Sequence, residues 1–214
     1  MYLPAHFEET RPAVLHELLR QHPLGLLITQ DEHGAPVANA IPFMLDAERG
    51  EFGTLVGHVA RANPVWQLAI GPERPAALVV FQGANGYVSP NGYPSKAEHG
   101  KVVPTWNYAM VQARGKLQLL DPTAAHALVS RLTARHEARQ PRPWAVTDAP
   151  DDYVAGMLRA IVCIEIPLDS LVGKYKLSQN RSAADQDGVV AVLQSAGVDT
   201  DLALAQAMQA QARS

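Results

Sequence analysis

The sequence predicts a mainly β protein with peripheral helices, of the α+β class, built on an antiparallel sheet. About six strand-like segments follow one another through turns rich in Gly, Pro, Asn and Asp, which is typical of antiparallel sheets. The chain has 214 residues, of which 47% are hydrophobic and 18% charged, so it is long enough for a β-barrel domain. This composition excludes disordered, coiled-coil and disulfide-scaffold proteins.

The pattern of residues 1–82 predicts two helices and four strands. Thr10 can cap the first helix, Pro12 lies in its first turn, and His22-Pro23 stops it. Asn63 opens a short helix between the third and fourth strands. The strands are predicted over residues 24–29, 36–45, 52–58 and 76–82, the last ending at the glycines 83 and 86.

The second part predicts further strands and the remaining helices. Residues 89–100 have turn formers and no hydrophobic period, so we expect a functional or mobile loop there. Ser182 followed by Asp185 resembles a capping box that starts a helix. We expect one domain over residues 1–197 and a helical tail, amphipathic or fraying, over 198–214. The other elements are strands over 101–120 and 160–166, and helices from Asp121 and over 151–158.

The segment Gly57-His-Val-Ala-Arg-Ala-Asn-Pro64 predicts a site for an anion such as a phosphate monoester. A helix N-terminus presents unpaired N–H groups, and Arg61 and Asn63 stand immediately before one, with His58 on the preceding strand. In the alternative interpretation, Asn63 only caps the helix and Arg61 is a surface charge. The chain has neither GxGxxG nor GxxxxGK[ST], which argues against nucleotide binding of the Rossmann or P-loop type.

Two further segments combine aromatic and hydrogen-bonding side chains. Strand alternation places Trp106 and Tyr108 on one face, and Thr105 and Asn107 alternate with them along the chain. These residues can contact a flat polar ring, or the segment can form a core or a subunit interface. Residues 173–181, with Lys176 and Gln179, suit an anion or polar heterocycle, or form a solvated turn.

Several other functions find little support in the sequence. The eight histidines lie in separate elements without metal-ligand spacing, and no GxSxG is present, so neither a metal site nor a catalytic residue is predicted. The single cysteine, Cys163, and the lack of a signal or membrane segment predict a cytoplasmic protein. Arg131, Arg135 and Arg139 would form one helical stripe able to touch DNA, but the net charge of −3 favours a solvated face.

Together these motifs resemble the PaiB family, whose members are described as FMN-binding negative transcriptional regulators. The resemblance rests on the opening Met-Tyr-Leu-Pro-Ala-His-Phe and on residues 57–64, 87–90, 93–96, 102–108 and 176–181. It implies an FMN-binding split β-barrel, a Greek-key-like antiparallel barrel, which usually forms a homodimer. The implied function is an FMN-binding transcriptional repressor. Direct contact with DNA is left open, because the sequence shows no helix-turn-helix. Alternatives are an FMN-dependent oxidoreductase of the flavin reductase type and a haem-handling split barrel.

The resemblance also implies roles for individual residues. Residues 58–63 correspond to the segment that grips the FMN phosphate in related folds, and residues 105–108 to a strand that contributes across the flavin. Asn39 stands roughly where relatives carry a phosphate-binding arginine. Lys96 or Lys176 is expected to compensate for that missing charge.

Overall fold

The computed structural model describes residues 1–71 and 74–212, which contain a sheet of nine strands and six α-helices. The strands are β1 (Glu8–Glu9), β2 (Leu24–Gln30), β3 (Pro36–Pro42), β4 (Met44–Asp46), β5 (Thr54–Ala60), β6 (Ala76–Val88), β7 (Thr105–Lys116), β8 (Gln118–Leu119) and β9 (Ile161–Lys176). The α-helices are α1 (Pro12–Gln21), α2 (Ser95–His99), α3 (Ala125–Glu137), α4 (Asp151–Arg159), α5 (Ala183–Ala196) and α6 (Asp199–Ala212). Short 3-10 helices include Pro64–Ala69 and Pro90–Gly92.

The strands hydrogen-bond in the order β3-β2-β6-β7-β9-β5-β4, with β1 and β8 added on β9. Neighbours run antiparallel: Leu27 of β2 lies opposite Asn39 of β3, and Gly57 of β5 lies opposite Ile164 of β9. The order is linear, with β3 and β4 at its two ends. The mainly β fold with peripheral helices, predicted from the sequence, is confirmed.

The chain divides into two compact units. Unit 1 comprises Met1–Leu18, Gln82–Val111 and Val172–Ser214, and unit 2 comprises Leu19–Phe81 and Gln112–Leu171. In unit 1, α5 and α6 pack on strand and loop residues in a core of Val88, Tyr93, Leu177, Val189, Val190, Leu193, Leu204, Ala205 and Met208. In unit 2, α3 packs on the sheet in a core of Met44, Val56, Leu128, Leu132 and Cys163.

The strand boundaries differ from the sequence prediction mainly at glycines and prolines. The glycines at 83 and 86 do not end β6, which continues to Val88. A Cβ on Gly83 would lie 3.1 Å from Leu18 Cδ1, and one on Gly86 would lie 3.0 Å from Leu204 Cδ2. These glycines therefore permit close packing within unit 1. The predicted strand 36–45 is broken at Phe43, and β9 runs past Pro167 to Lys176.

The helices follow the local signals closely. α1 starts at Pro12, and Ser182 Oγ accepts a hydrogen bond from the Asp185 N–H at the start of α5, as predicted. The expectation of an irregular loop over residues 89–100 is wrong, because most of it forms a 3-10 helix and α2. α6 does not fray but buries one side against α5. The expected arginine stripe is shorter than predicted: Arg131 and Arg135 lie on α3, but the helix ends at Glu137, before Arg139.

Candidate cofactor-binding site

Arg61 is held in place by backbone carbonyls of unit 2. Its Nε donates to the carbonyl oxygen of Arg159 at 2.7 Å, and its Nη2 donates to that of Ile161 at 3.0 Å. Trp66 returns the contact: its Nε1 donates to the Arg61 carbonyl at 3.0 Å, and its ring centroid lies 6.0 Å from the guanidinium carbon. The guanidinium is exposed yet fixed in direction, so it is not a freely moving surface charge.

Asn63 uses both ends of its carboxamide. Its Oδ1 accepts from the N–H of Val65 at 3.0 Å and so caps the 3-10 helix, while its Nδ2 donates to Asn39 Oδ1 at 2.9 Å. The cap consumes an N–H that the sequence analysis assigned to an anion, and Pro64 has none to offer. The helix end therefore contributes less to an anion site than its sequence suggested. Asn39, in contrast, is brought directly to Asn63.

His58 lies on β5 with one ring nitrogen unsatisfied. Its Nδ1 is buried and has no hydrogen-bond partner in the described part of the chain. Burial lowers the pKa of the imidazole, so the ring is neutral at pH 7. A buried ring nitrogen without a partner is costly, and a bound polar group would relieve that cost. We call Asn39, His58, Arg61 and Asn63 the Arg61 group; the last three belong to one segment of the chain, and Asn39 joins them through its hydrogen bond with Asn63.

In unit 1, β7 and β9 bring together a second set of predicted residues. Trp106 is 53% exposed and Tyr108 half-buried, and they share a face of β7, as alternation predicts. The Lys176 amine donates to Thr105 Oγ1 and to the Trp106 carbonyl. Trp106 Nε1 donates to Asn85 Oδ1 at 3.3 Å, and its ring lies 6.4 Å from that of Tyr87. Lys176 therefore fixes the start of β7.

Asn107 faces the opposite side of β7 and is fully buried. Its Nδ2 donates to Ser178 Oγ at 2.9 Å, and its Oδ1 has no partner among the described residues. Ser178 has a φ of 69°, an uncommon conformation for a residue other than glycine. A buried hydrogen bond and an unusual backbone thus coincide in the turn after β9.

The last two predicted residues are engaged in local contacts of unit 1. Gln179 Oε1 accepts from the Leu177 N–H, and its Nε2 donates to the Tyr175 carbonyl, so this side chain closes the turn. The Lys96 amine donates to Asn91 Oδ1 at 2.6 Å. For both residues, contact with a cofactor stays a prediction.

Sequence reasoning missed Lys174 and Trp66. Lys174 is 8% exposed, with its amine 5.5 Å from the Tyr108 ring and 5.3 Å from the Tyr2 ring, and it donates to the Tyr2 carbonyl. The alternation of a strand places Lys174 on the same face as Lys176, and this signal was available. No comparable signal connects Trp66 with Arg61, because their hydrogen bond uses a backbone oxygen.

A family described as "Putative FMN-binding domain" matches residues 1–170. The chain belongs to this family. FMN, the cofactor that the PaiB resemblance implied, is thus confirmed at the level of the family. The resemblance itself is confirmed by a relative from Bacillus subtilis, the protease synthase and sporulation protein PAI 2. It is 28% identical over 91% of this chain and 90% of its own length.

Other similarities agree with the family and the fold. An uncharacterised protein of Emericella nidulans is 33% identical over 96% of this chain and 95% of its own. The FAD and heme binding protein from Mycobacterium smegmatis superposes with a TM-score of 0.57 at 18% identity, covering 85% of this chain and 78% of its own. A flavocytochrome from Azotobacter vinelandii gives 0.53 at 12% identity, covering 79% and 69%. The split β-barrel fold class is confirmed.

The Arg61 group fits the phosphate end of FMN in donor chemistry. A guanidinium has five N–H donors, of which the two carbonyls use one each, and the Asn39 amide adds its own N–H groups. His58 supplies a neutral ring with an unsatisfied nitrogen.

In the described residues, no cluster of three or more His, Cys, Asp or Glu side chains is arranged for a metal ion, and no helix is long and apolar enough to cross a membrane.

Proposed function

We propose that this chain binds FMN with its phosphate at the Arg61 group, and that it acts as a transcriptional regulator of the PaiB type. The observation that carries the proposal is the fixed guanidinium of Arg61 within a chain of the FMN-binding family. When bound, FMN supplies one- and two-electron redox chemistry. The residues of the chain hold and orient it.

Arg61 suits a phosphate because its direction is set before the ligand arrives. Two hydrogen bonds to carbonyls and the Trp66 ring restrict its rotamers, so little side-chain entropy remains to be lost on binding. Its remaining N–H groups are free of carboxylate partners in the described residues. A planar guanidinium can place two of them on two phosphate oxygens.

Asn39 and His58 complete the proposed site without adding charge. The Asn63 amide binds Asn39 Oδ1, which turns the Asn39 Nδ2 away from this bond and leaves it available as a donor. The neutral His58 ring can take part in one further hydrogen bond through Nδ1. The resemblance to related flavin-binding folds implies a phosphate-binding arginine roughly where Asn39 stands, so this site would bind phosphate with one cation fewer.

The regulatory part of the proposal rests on the Bacillus subtilis relative, whose name refers to protease synthesis and sporulation. Direct contact with DNA belongs to the proposal as well, although α3 gives it little support. Both arginines of α3 already have partners within the chain: Arg135 Nη2 donates to the Arg20 carbonyl, and Arg131 Nη2 lies 3.9 Å from Asp46 Oδ2. The buried free thiol of Cys163 agrees with the cytoplasmic location of a regulator.

The absorbance spectrum of the purified chain tests the cofactor. We expect a yellow protein with flavin bands that can be removed and restored by titration with FMN. A Soret band would instead indicate haem, and a chain that takes up no FMN would contradict the proposal. Turnover of a reduced nicotinamide by the FMN-loaded chain would favour the oxidoreductase alternative. Promoter and random DNA compared over a range of salt test the regulatory part.

A homodimer is the expected oligomeric state, with an interface that includes the face of Trp106 and Tyr108. Tyr87 and Trp106 leave two large rings exposed side by side in unit 1, as is common at interfaces. We expect Trp106→Glu to shift the chain to monomers at micromolar concentration, measured by light scattering.

The control for this interface is a second apolar face, on the β2–β3 hairpin of unit 2. Leu24 is 62% exposed, and Leu26 next to it is also exposed, opposite Pro42 and Ala40. If Leu26→Glu gives monomers and Trp106→Glu does not, the dimer forms through the hairpin and the predicted interface is wrong. A wild-type monomer that still binds FMN would contradict the homodimer.

A further inference from the structure

Unit 1 contains a cleft formed by residues that do not belong to the Arg61 group. Its volume is about 510 Å³, and it is open to solvent over most of its extent. Residues 91–94, Lys96 and Ala97 form one wall, and Gly188 and Val192 of α5 form the other. The family match ends at residue 170, so the α5 wall lies outside the matched segment.

The two walls are locked together. A Cβ on Gly188 would lie 2.2 Å from the Gly92 carbonyl oxygen, so only glycine lets α5 approach the turn this closely. The Asp185 carboxylate accepts hydrogen bonds from the Ser95 N–H at 3.1 Å and from Ser95 Oγ at 2.9 Å. The cleft is therefore preformed, and a ligand would not have to organise it.

Most of the cleft surface is apolar. Val192 is 44% exposed, whereas Val189 and Leu193 on the same helix are buried in the core of unit 1. Val192 also lines a neighbouring cavity of about 190 Å³, which shares Gly92 with the cleft. Apolar side chains left uncovered in a concave site favour a ligand with an apolar body.

The charged side chain among the residues that line the cleft is Lys96. The Lys96 amine spends one hydrogen bond on Asn91 Oδ1, and an ammonium group has three N–H groups to give. Tyr93 is 2% exposed, and its buried hydroxyl has no partner among the described residues. The Arg181 guanidinium lies 5.0 Å from its ring. Among the described residues that line the cleft, none is a carboxylate.

We infer that this cleft binds a small amphipathic acid, an apolar or aromatic body that carries one carboxylate. The body packs against Val192 and Pro94, and the carboxylate accepts hydrogen bonds from the Lys96 amine. This site is additional to the proposed FMN site and does not depend on it. It also gives Lys96 a role other than compensation for the missing charge at Asn39.

Isothermal titration calorimetry of the full chain, with and without added FMN, tests the inference with 1-naphthoate and its neutral analogue 1-naphthamide. We expect the acid to bind and the amide to bind at least about tenfold more weakly, since a charge-assisted hydrogen bond is lost. Lys96→Gln should weaken the acid by about tenfold and leave the amide unchanged. Val192→Glu should abolish binding of the acid.

Lys101→Gln is the matched control, because it removes the same charge from an exposed lysine that does not line the cleft. It should bind the acid as the wild type does. All variants should keep the wild-type melting temperature, and Val192→Glu should keep the wild-type affinity for FMN. The inference is overturned if neither probe binds, if acid and amide bind equally, if Lys96→Gln binds the acid like the wild type, or if the acid displaces FMN.

Discussion

We expect the Arg61→Ala variant to bind FMN about tenfold or more weakly than the wild-type chain. A charge-assisted hydrogen bond contributes about 1.5–3 kcal/mol, and about 1.4 kcal/mol corresponds to a factor of ten in affinity. The guanidinium is fixed by the Arg159 and Ile161 carbonyls, so the variant loses a charge whose direction is already set. Quenching of flavin fluorescence during titration with FMN measures the dissociation constant.

Arg159→Ala is the matched control for this experiment. Its side chain is exposed, and the contact with Arg61 uses only its backbone carbonyl, which the substitution retains. The variant removes an equal charge nearby and should bind FMN within about twofold of the wild type, as expected for an exposed charge that is screened by solvent. Thermal unfolding of both variants shows whether loss of the Arg61 hydrogen bonds to the Arg159 and Ile161 carbonyls affects folding. Wild-type affinity in folded Arg61→Ala would place the phosphate elsewhere.

The second large effect concerns stability. We expect Leu204→Ala to lower the free energy of unfolding by about 2–5 kcal/mol, the usual cost of truncating a fully buried leucine. Leu204 of α6 is completely buried, and its Cδ2 lies where a Cβ on Gly86 would meet it at 3.0 Å. Urea unfolding followed by circular dichroism measures the change.

An exposed residue at the start of the same region controls for nonspecific effects. Val198 is 52% exposed, so Val198→Ala should change the free energy of unfolding by no more than about 0.5 kcal/mol. If Leu204→Ala is equally mild, α6 is not docked on α5 in solution. The C-terminal segment would then be the independent tail that the domain boundaries of the sequence analysis describe.

The elements that could be predicted from the sequence carry their signals locally. Pro12 marks the first turn of α1, and Ser182 with Asp185 marks the start of α5, because capping involves residues a few positions apart. Gly83 was read as a strand end, but it lies within β6, where Leu18, a residue distant in sequence, packs so closely that a Cβ would lie 3.1 Å from its Cδ1. β9 was predicted too short because proline usually interrupts strands. Here Pro167 lies within β9, opposite Thr54 of β5.

The candidate site divides in the same way. Arg61 and Asn63 could be chosen from residue type and from their position before a helix. The atoms that orient Arg61 are the carbonyls of Arg159 and Ile161, and backbone atoms leave no trace in a sequence. The pairing of Asn63 with Asn39 joins the turn after β5 to β3, two segments that are distant in the chain, so only the structure could show it.

The position of β9 late in the chain has a consequence for folding during synthesis. β1 finds its partner at Gly173 and Lys174, and β5 finds its partner over residues 161–167. Both strands therefore leave the ribosome long before the segment that completes them. Pairings of such high contact order fold on the scale of milliseconds to seconds. Until β9 pairs with it, β5 has one unpaired edge and carries the apolar residues Leu55, Val56 and Val59. Nascent chains that are truncated before β9 are therefore prone to aggregation.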